Sequence, residues 1–212
     1  MLPRDRDWEA LAIGPCPVGS CIYIGDIGDN REQQRSVTIY RVREPVRLNH
    51  FIGAADTTPL DLDSLVFSYP DGAHDSEAMW VDQTGAVFVV TKGRTGGVKL
   101  FRLAETAFEA GAAVAELVQP LSIIPNRGLG GWVTDAALSP NGQRVAIRTY
   151  GEVYFFSVLP MGQLADPVVC SIAGLEAQGE GITWLDDRRL VLTSEAVGTH
   201  WPGTIHIMRI CA

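Results

Sequence analysis

The chain has 212 residues, of which 46% are hydrophobic and 20% charged, so it has enough apolar side chains for a core and too few charges for a disordered chain. The net charge of −8 and the scarcity of lysine argue against nucleic acid and anionic membrane as partners. No apolar run approaches the ~20 residues that span a bilayer. The N-terminus lacks a signal peptide, which predicts a cytoplasmic protein as the chain stands, or a periplasmic or secreted one if a leader precedes it.

One pattern recurs four times along the chain: an acidic residue, a small residue, an apolar stretch and then turn residues. The acids are Glu9, Glu77, Asp135 and Glu180. After each turn we expect a second and a third strand, because the runs that follow alternate or are rich in β-branched and aromatic residues. These runs lie near 22–24 and 37–42, 87–90 and 98–102, 145–147 and 153–156, and 190–192 and 205–208.

Fourth strands are predicted for the first three units, at 64–68, at 116–118 with 121–123, and at 168–172. Helix is scarce, and only 104–116 favours one short helix. Units of up to four antiparallel strands at this period are typical of a β-propeller. We therefore predict one all-β propeller domain with blades near 7–70, 75–124, 133–173 and 179–212, the last incomplete.

A β-sandwich also has many short strands and is the alternative fold. The propeller is favoured because the acidic opening returns in register each time. Either the four blades close by themselves, or the exposed blade edges pair with another copy of the chain, since open strand edges recruit partners. The four cysteines leave one question open, because Cys16 and Cys21 flank a short hairpin and fit a disulfide and two thiols equally well. Cys170 and Cys211 lie in apolar runs and are predicted to be small buried hydrophobes.

In a propeller the first strand of each blade lines the central channel, so the four acids are expected at one mouth of it. The ends of the second strands bring further polar side chains to the same rim: Asp26, Asp29, Lys92, Arg148, Tyr150 and Glu195. Converging carboxylates repel one another and need a cation, protons or basic partners. A divalent cation, most simply Ca²⁺, would bind Glu9, Asp26, Asp29, Glu77, Asp135 and Glu180. The alternative is a channel lined by ion pairs to Lys92 and Arg148.

Catalytic candidates on this rim are His74, Glu77 and Asp135. His74 has the intrinsic pKa of a general base, although a surface-loop histidine bonded to Asp75 is the simpler interpretation. The side chains expected to contact a small-molecule substrate are Lys92, Trp132, Arg148, Tyr150, Glu195 and His200. None of the standard nucleophile or phosphate-loop motifs is present in the sequence.

Three segments together resemble a family of largely uncharacterised bacterial propeller proteins. They are Asp-Trp-Glu-Ala-Leu-Ala at 7–12, Tyr-Ile-Gly-Asp-Ile-Gly-Asp-Asn at 23–30 and Ile-Tyr-Arg-Val at 39–42, and the segments at 74–78 and 148–150 agree. The resemblance implies the propeller fold and an additional N-terminal blade in the relatives. More distantly, the rim carboxylates are similar to those of calcium-dependent propeller hydrolases, namely gluconolactonase, paraoxonase, phosphotriesterase-like and phytase-like proteins.

Together these features predict a metal-dependent hydrolase of ester, lactone or phosphotriester bonds. The alternative is a non-catalytic propeller that serves as a binding module or scaffold.

Overall fold

The computed structural model describes residues 6–44, 62–124, 130–198 and 202–211. Four small β-sheets follow one another along this part of the chain. The first sheet contains β1 (Trp8–Pro15), β2 (Ser20–Asp26), β3 (Val37–Arg43) and β4 (Leu62–Ser68). The second contains β5 (Ser76–Val81), β6 (Val87–Thr91) and β7 (Lys99–Leu103). A short helix α1 (Ala107–Ala110) and the strands β8 (Ala112–Val114) and β9 (Glu116–Pro120) follow.

The third and fourth sheets are built in the same antiparallel order. The third contains β10 (Val133–Leu138), β11 (Arg144–Thr149), β12 (Glu152–Ser157) and β13 (Val168–Ser171), with a 3₁₀ turn at Pro160–Gly162. The fourth contains β14 (Gln178–Asp186), β15 (Arg189–Glu195) and β16 (Ile205–Arg209). We refer to the four sheets as blades 1 to 4.

The blades are arranged as a four-bladed β-propeller, which confirms the predicted fold over the sandwich. The first strands of neighbouring blades pack against each other, β1 on β5, β5 on β10 and β10 on β14. Every residue of β5 and β6 is buried, because blade 2 lies between blades 1 and 3. β1 alternates between buried and more exposed residues, as a strand covered on one face does. Within the described residues, β14 and β1 make no comparable contact.

Three apolar clusters hold the blades together. The face that a blade turns to the preceding blade is called its front face, and the opposite one its rear face. Each cluster joins the rear face of one blade to the front face of the next: Ala10 and Tyr23 with Met79 and Val89, Trp80 and Phe88 with Ala136 and Ile147, and Phe155 and Cys170 with Ile182 and Leu192. Alternation along each strand therefore supplies both faces of the inner blades.

The segment predicted as a helix departs from expectation. Only Ala107–Ala110 is helical, and Gly111 ends the helix in the left-handed region at φ 69°. The chain then returns to blade 1, where β8 pairs in parallel with β4, before β9 completes blade 2. Blade 1 consequently has five strands, and the connection covers its outer edge. No described helix has the length and hydropathy to cross a membrane.

Two disulfides are present. Cys16 pairs with Cys21 across the β1–β2 hairpin, which answers the question that the sequence left open. Cys170 pairs with Cys211, so the prediction that these two are separate buried hydrophobes is wrong. The bond ties β13 of blade 3 to the segment after β16 of blade 4. Its two cysteines are 41 residues apart, and their proximity depends on how the blades stack, which spacing alone does not reveal.

Candidate functional site at the channel mouth

Each first strand carries a β-bulge near its beginning, where the pairing register with the second strand shifts by one residue. The bulged residues are Glu9, Glu77, Thr134 and Glu180. A bulge re-aims the side chain of the extra residue, and bulges are common beside active sites. Three of the four predicted acids therefore occupy equivalent positions in blades 1, 2 and 4. In blade 3 the equivalent residue is Thr134, so the placement predicted for Asp135 was one residue out of register.

Asp135 binds blade 4 to blade 3. Its Oδ2 accepts a hydrogen bond of 2.7 Å from the backbone N–H of Ile182, and its Oδ1 accepts one of 2.8 Å from that of Ala136. Burial raises the pKa of Asp135 to about 7, against the opposing effect of these two hydrogen bonds. Both oxygens are engaged by backbone donors, so the geometry gives this carboxylate a structural role.

Glu77 and Lys92 form a buried ion pair at the mouth, between Oε1 and Nζ. The ammonium group of Lys92 also lies 5.9 Å from the ring centroid of Trp132, and the guanidinium of Arg94 lies 4.9 Å from it. The indole Nε1 of Trp132 is buried and has no hydrogen-bond partner among the described residues. Lys92 thus neutralises one of the converging carboxylates, as the ion-pair alternative predicted.

The bulged glutamates of blades 1 and 2 are electrostatically linked. Burial raises the pKa of Glu9 to about 8, and the negative charges of Glu77 and Asp7 add to the effect, while Lys92 opposes it. Burial also raises the pKa of Glu77 to about 7, where Lys92 acts to lower it and Asp75 and Glu180 act to raise it. Two carboxyl groups that titrate near neutrality suit proton transfer at physiological pH.

Glu180 accepts hydrogen bonds from two side chains at its Oε1, 3.4 Å from the hydroxyl of Tyr150 and 2.8 Å from Nε2 of Gln178. Nε2 of Gln178 also donates to Oε2 of Glu195 at 3.2 Å. Burial raises the pKa of Tyr150, and the charges of Glu180, Glu77 and Glu9 raise it further. Tyr150 is therefore a protonated donor at neutral pH, and it is placed among the three bulged glutamates.

Asp26 and Asp29 hold the loop beside the mouth together. Oδ1 of Asp26 accepts from the backbone N–H groups of Arg6 and Asp7, at 3.2 and 2.8 Å. Oδ2 of Asp29 accepts from the backbone N–H groups of Gln33 and Gln34, both at 2.6 Å. The Gly-Asp-Ile-Gly-Asp-Asn motif is thus a loop capped by its own carboxylates.

Arg148 is placed differently from its predicted position on the rim. It is fully buried, with Nη2 bonded to Oε2 of Glu176 at 2.6 Å and Nη1 bonded to the carbonyl oxygen of Gly181 at 2.9 Å. In the strand register Arg148 is opposite Asp135, so both lie on the rear face of blade 3 under blade 4. The guanidinium is covered by protein in this structure, which corrects the substrate-contacting role that the sequence suggested.

His74 bonds to Oδ1 of Asp71 through Nε2 at 2.9 Å, and its ring packs on Tyr69 and Phe101. These contacts place it among third- and fourth-strand residues rather than against Glu9 or Glu77. His200 lies outside the described residues.

No group of three or more His, Cys, Asp or Glu side chains in the described parts of the chain is spaced to hold a metal ion. The carboxylate of Glu77 forms an ion pair with Lys92, and the carboxylates of Asp26, Asp29 and Asp135 accept hydrogen bonds from backbone N–H groups. The described side chains therefore offer no ready ligand set, and calcium binding stays a prediction.

Sequence reasoning missed Thr134 and Gln178. The bulge that selects Thr134 is a property of strand pairing, and the Thr-Asp dipeptide alone does not show which of its two residues is inserted. Gln178 precedes the bulged Glu180 by two residues, and the apolar repeat by which the blades were recognised does not include it.

No family model matches the chain, and no curated protein matches it. Its fold is similar to those of several solved propeller structures. A putative 6-phosphogluconolactonase from Bacteroides uniformis matches with a TM-score of 0.54, 13% identity and coverage of 94% of this chain and 67% of that one. The Pseudomonas aeruginosa periplasmic gluconolactonase PpgL matches with a TM-score of 0.51, 12% identity and coverage of 95% of this chain and 58% of that one.

A chain from an active polycomb repressive complex 2 in the basal state is equally similar, with a TM-score of 0.52, 14% identity and coverage of 100% and 40%. The chain thus spans about 40% to 67% of the length of these three neighbours. At such identities the likeness shows the propeller fold alone.

Proposed function

We propose that the protein is a hydrolase of small neutral esters, with lactones as the first class to consider, and that its active site is the channel mouth. The observation that carries this proposal is the placement of Glu9, Glu77 and Glu180 in equivalent bulges, with Lys92 and Tyr150 between them. Charged groups of both signs and a protonated hydroxyl are the components of acid–base hydrolysis.

Glu77 and Glu9 take complementary roles in this scheme. The ionised Glu77 removes a proton from a water molecule, whose oxygen attacks the carbonyl carbon of the substrate. The ammonium of Lys92 stabilises the negative charge that develops on the carbonyl oxygen. Glu9, whose pKa is raised to about 8, donates its proton to the leaving alkoxide as the ester bond breaks. The proton then passes from Glu77 back to Glu9, which balances the cycle.

The charge of the site favours a neutral substrate. Three glutamates at the mouth of a protein with net charge −8 repel anions, whereas a lactone, a carboxylic ester or a phosphotriester approaches without that cost. Hydrolysis converts each of these into an anion, which the same field expels. One of the three neighbours named above is a gluconolactonase, so lactones head the assay panel.

The sequence predicts a calcium-dependent hydrolase, but the hydrolytic steps proposed above do not use calcium. Glu9, Glu77 and Glu180 would hold the ion, and Lys92 would have to leave Glu77 for it to bind. A ligand that binds only the folded state raises the melting temperature, so titration with CaCl₂ against EDTA measures this directly.

The second candidate is a non-catalytic binding module. The Glu77–Lys92 ion pair favours it, because a carboxylate that is already paired with an ammonium group needs no cation. This candidate predicts no turnover of any substrate and no change in melting temperature with calcium.

The test is a panel of δ-lactones, aryl esters and aryl phosphotriesters, assayed between pH 5 and 10 with EDTA and with CaCl₂. We expect turnover with a bell-shaped pH dependence, and its alkaline limb should be lost in Glu9→Gln. Glu109→Gln, at an exposed position on α1, is the matched control and should behave as the parent does. Absence of turnover in both metal conditions, or an unchanged pH profile in Glu9→Gln, would overturn the proposal.

A further inference from the structure

Within the described parts of the chain nothing covers the front face of blade 1, although its residues match positions that are buried or partly buried in every other blade. Counting from the bulge, the second and fourth residues are Met79 and Val81 in blade 2, Ala136 and Leu138 in blade 3, and Ile182 and Trp184 in blade 4. All six pack in the clusters between blades. The equivalent residues of blade 1 are Leu11 and Ile13, which are 65% and 61% exposed.

The second strand continues this apolar face. Leu11 is opposite Ile24 and Ile13 is opposite Ile22 in the register of β1 and β2. The corresponding residues in blade 2 are Val89 and Val87, which are buried. Blade 1 therefore presents a complete front face of the kind that the other three blades pack against the preceding blade.

The rear face of blade 4 is uncovered in the same way. Ile205 is opposite Thr193, which is opposite Gly181, the residue after the bulge. In blades 1, 2 and 3 the third-strand residues at the equivalent register position are Ile39, Leu100 and Val153. All three are fully buried. Ile205 is 76% exposed, and Ile207 beside it is 66% exposed.

Between these two faces lies an open wedge rather than a contact. A cavity of about 580 Å³ is bounded by the first strands of all four blades, and it reaches Leu11 and Ile13 of blade 1 and Thr183, Val191 and Thr193 of blade 4. β14 and β1 make no contact comparable with those between the other first strands of the described chain. Among the described residues, blade 1 thus has an unpaired front face and blade 4 an unpaired rear face.

We propose that each of these faces binds the complementary face of a second copy of this chain. The three internal junctions show what fits a front face, namely the rear face of a blade, and blade 4 of a second copy supplies one. Two copies joined front to rear at both junctions form a closed ring, whereas a pairing of two front faces has no counterpart in the molecule. Closure would also surround the channel mouth, which the four described blades line in one copy.

The area is sufficient for a specific contact. Three strands spaced about 4.8 Å apart, each with about six residues rising about 3.3 Å, give a face of roughly 290 Å² in projection. Two junctions with two faces each then cover about 1,160 Å², which exceeds the ~1,000 Å² that a biological interface should bury.

The test is the mass of the 212-residue protein in solution, measured by light scattering and sedimentation over a range of concentrations. We expect a particle of twice the 23.0 kDa chain mass. Leu11→Glu and Ile205→Glu each place a charge in both junctions and should give monomers. Both positions are exposed in the single chain, so the fold should persist, and circular dichroism checks this. Met161→Glu, at an 85% exposed position outside both faces, is the control and should stay dimeric.

Mixing the two variants separates front-to-rear pairing from the alternatives. A mixed pair retains one junction free of both charges, from the intact front of the Ile205→Glu chain and the intact rear of the Leu11→Glu chain. We therefore expect the equimolar mixture to form heterodimers while each variant alone is monomeric. A parent protein that is monomeric at all concentrations, species larger than a dimer, or dissociation by only one of the two variants would overturn the proposal.

Discussion

Blades 1, 2 and 4 carry glutamate in the bulge of their first strand, and blade 3 carries threonine. The glutamates of blades 1 and 2 have raised pKa values and act on the charges around the channel mouth. Thr134 instead donates from its Oγ1 to the carbonyl oxygen of Gly179 at 3.0 Å, and the next residue, Asp135, accepts from blade 4. The same bulge geometry therefore has two roles. It directs a side chain to the axis in blades 1, 2 and 4, and in blade 3 it joins that blade to blade 4.

Because the bulges of blades 2 and 3 differ in this way, we expect Glu77 and Asp135 to respond differently to substitution. Glu77→Gln removes the base and the ionic partner of the buried Lys92, so we expect activity to fall by about 10²- to 10⁴-fold. The variant should also unfold at lower denaturant concentration, because a buried charge is left uncompensated. Steady-state hydrolysis and urea unfolding measure the two effects, with Glu109→Gln as control. Retention of full activity would remove Glu77 from the site.

The joint between blades 3 and 4 is tested at Gly179. A Cβ at this position would overlap Nη2 of Arg148, which is bonded to Glu176 in the interior. Gly179→Ala should destabilise the protein by up to about 3–5 kcal/mol, the cost of losing one partner of a buried ion pair. Gly96→Ala is the matched control, since no atom lies within 4 Å of its added Cβ. Equal unfolding midpoints for the two variants would contradict the role assigned to the pair.

Asp135→Asn tests whether this acid is structural. If the amide nitrogen takes the place of Oδ2, it faces the N–H of Ile182 and leaves a donor without an acceptor, at a cost of about 1–3 kcal/mol. If the amide is turned the other way, the same conflict arises at Ala136. The activity of the folded fraction should stay within about threefold of the parent, corresponding to about 0.6 kcal/mol. A large loss of activity at unchanged stability would instead support the catalytic role predicted from the sequence.

A further expected effect is a pH dependence of stability. The folded-state pKa of Glu9 is raised from 4.5 to about 8 by burial, Glu77 and Asp7, so the folded state binds more protons than the unfolded state in this range. This contribution to stability is fully present below about pH 4.5 and is lost as the pH rises through about 8. The free energy of unfolding of Glu9→Gln, measured with urea, should fall less steeply as the pH rises than that of Glu109→Gln. Parallel curves for the two variants would contradict the raised pKa of Glu9.

The propeller was predictable from the sequence because its signals are local. Alternation identifies the strands, and the recurring opening at Glu9, Glu77 and Glu180 marks the blades. The rest depends on contacts between distant segments. A shift of one residue in strand pairing separates Thr134 from Asp135, the Arg148–Glu176 pair exists only where blade 4 covers blade 3, and the partner of Cys170 lies 41 residues away. β8 joins blade 1 although its neighbours in sequence belong to blade 2.

We expect the bulged glutamates of blades 1 and 2 to titrate near neutrality, and ¹³C NMR of the glutamate carboxyl groups tests this without a substrate. We expect the carboxyls of Glu9 and Glu77 to titrate near pH 8 and 7, assigned by their loss in Glu9→Gln and Glu77→Gln. Because the two groups are coupled, each substitution should also move the remaining titration. Titration of both carboxyls near their ordinary value of 4.5, with neither substitution affecting the other, would contradict the claim.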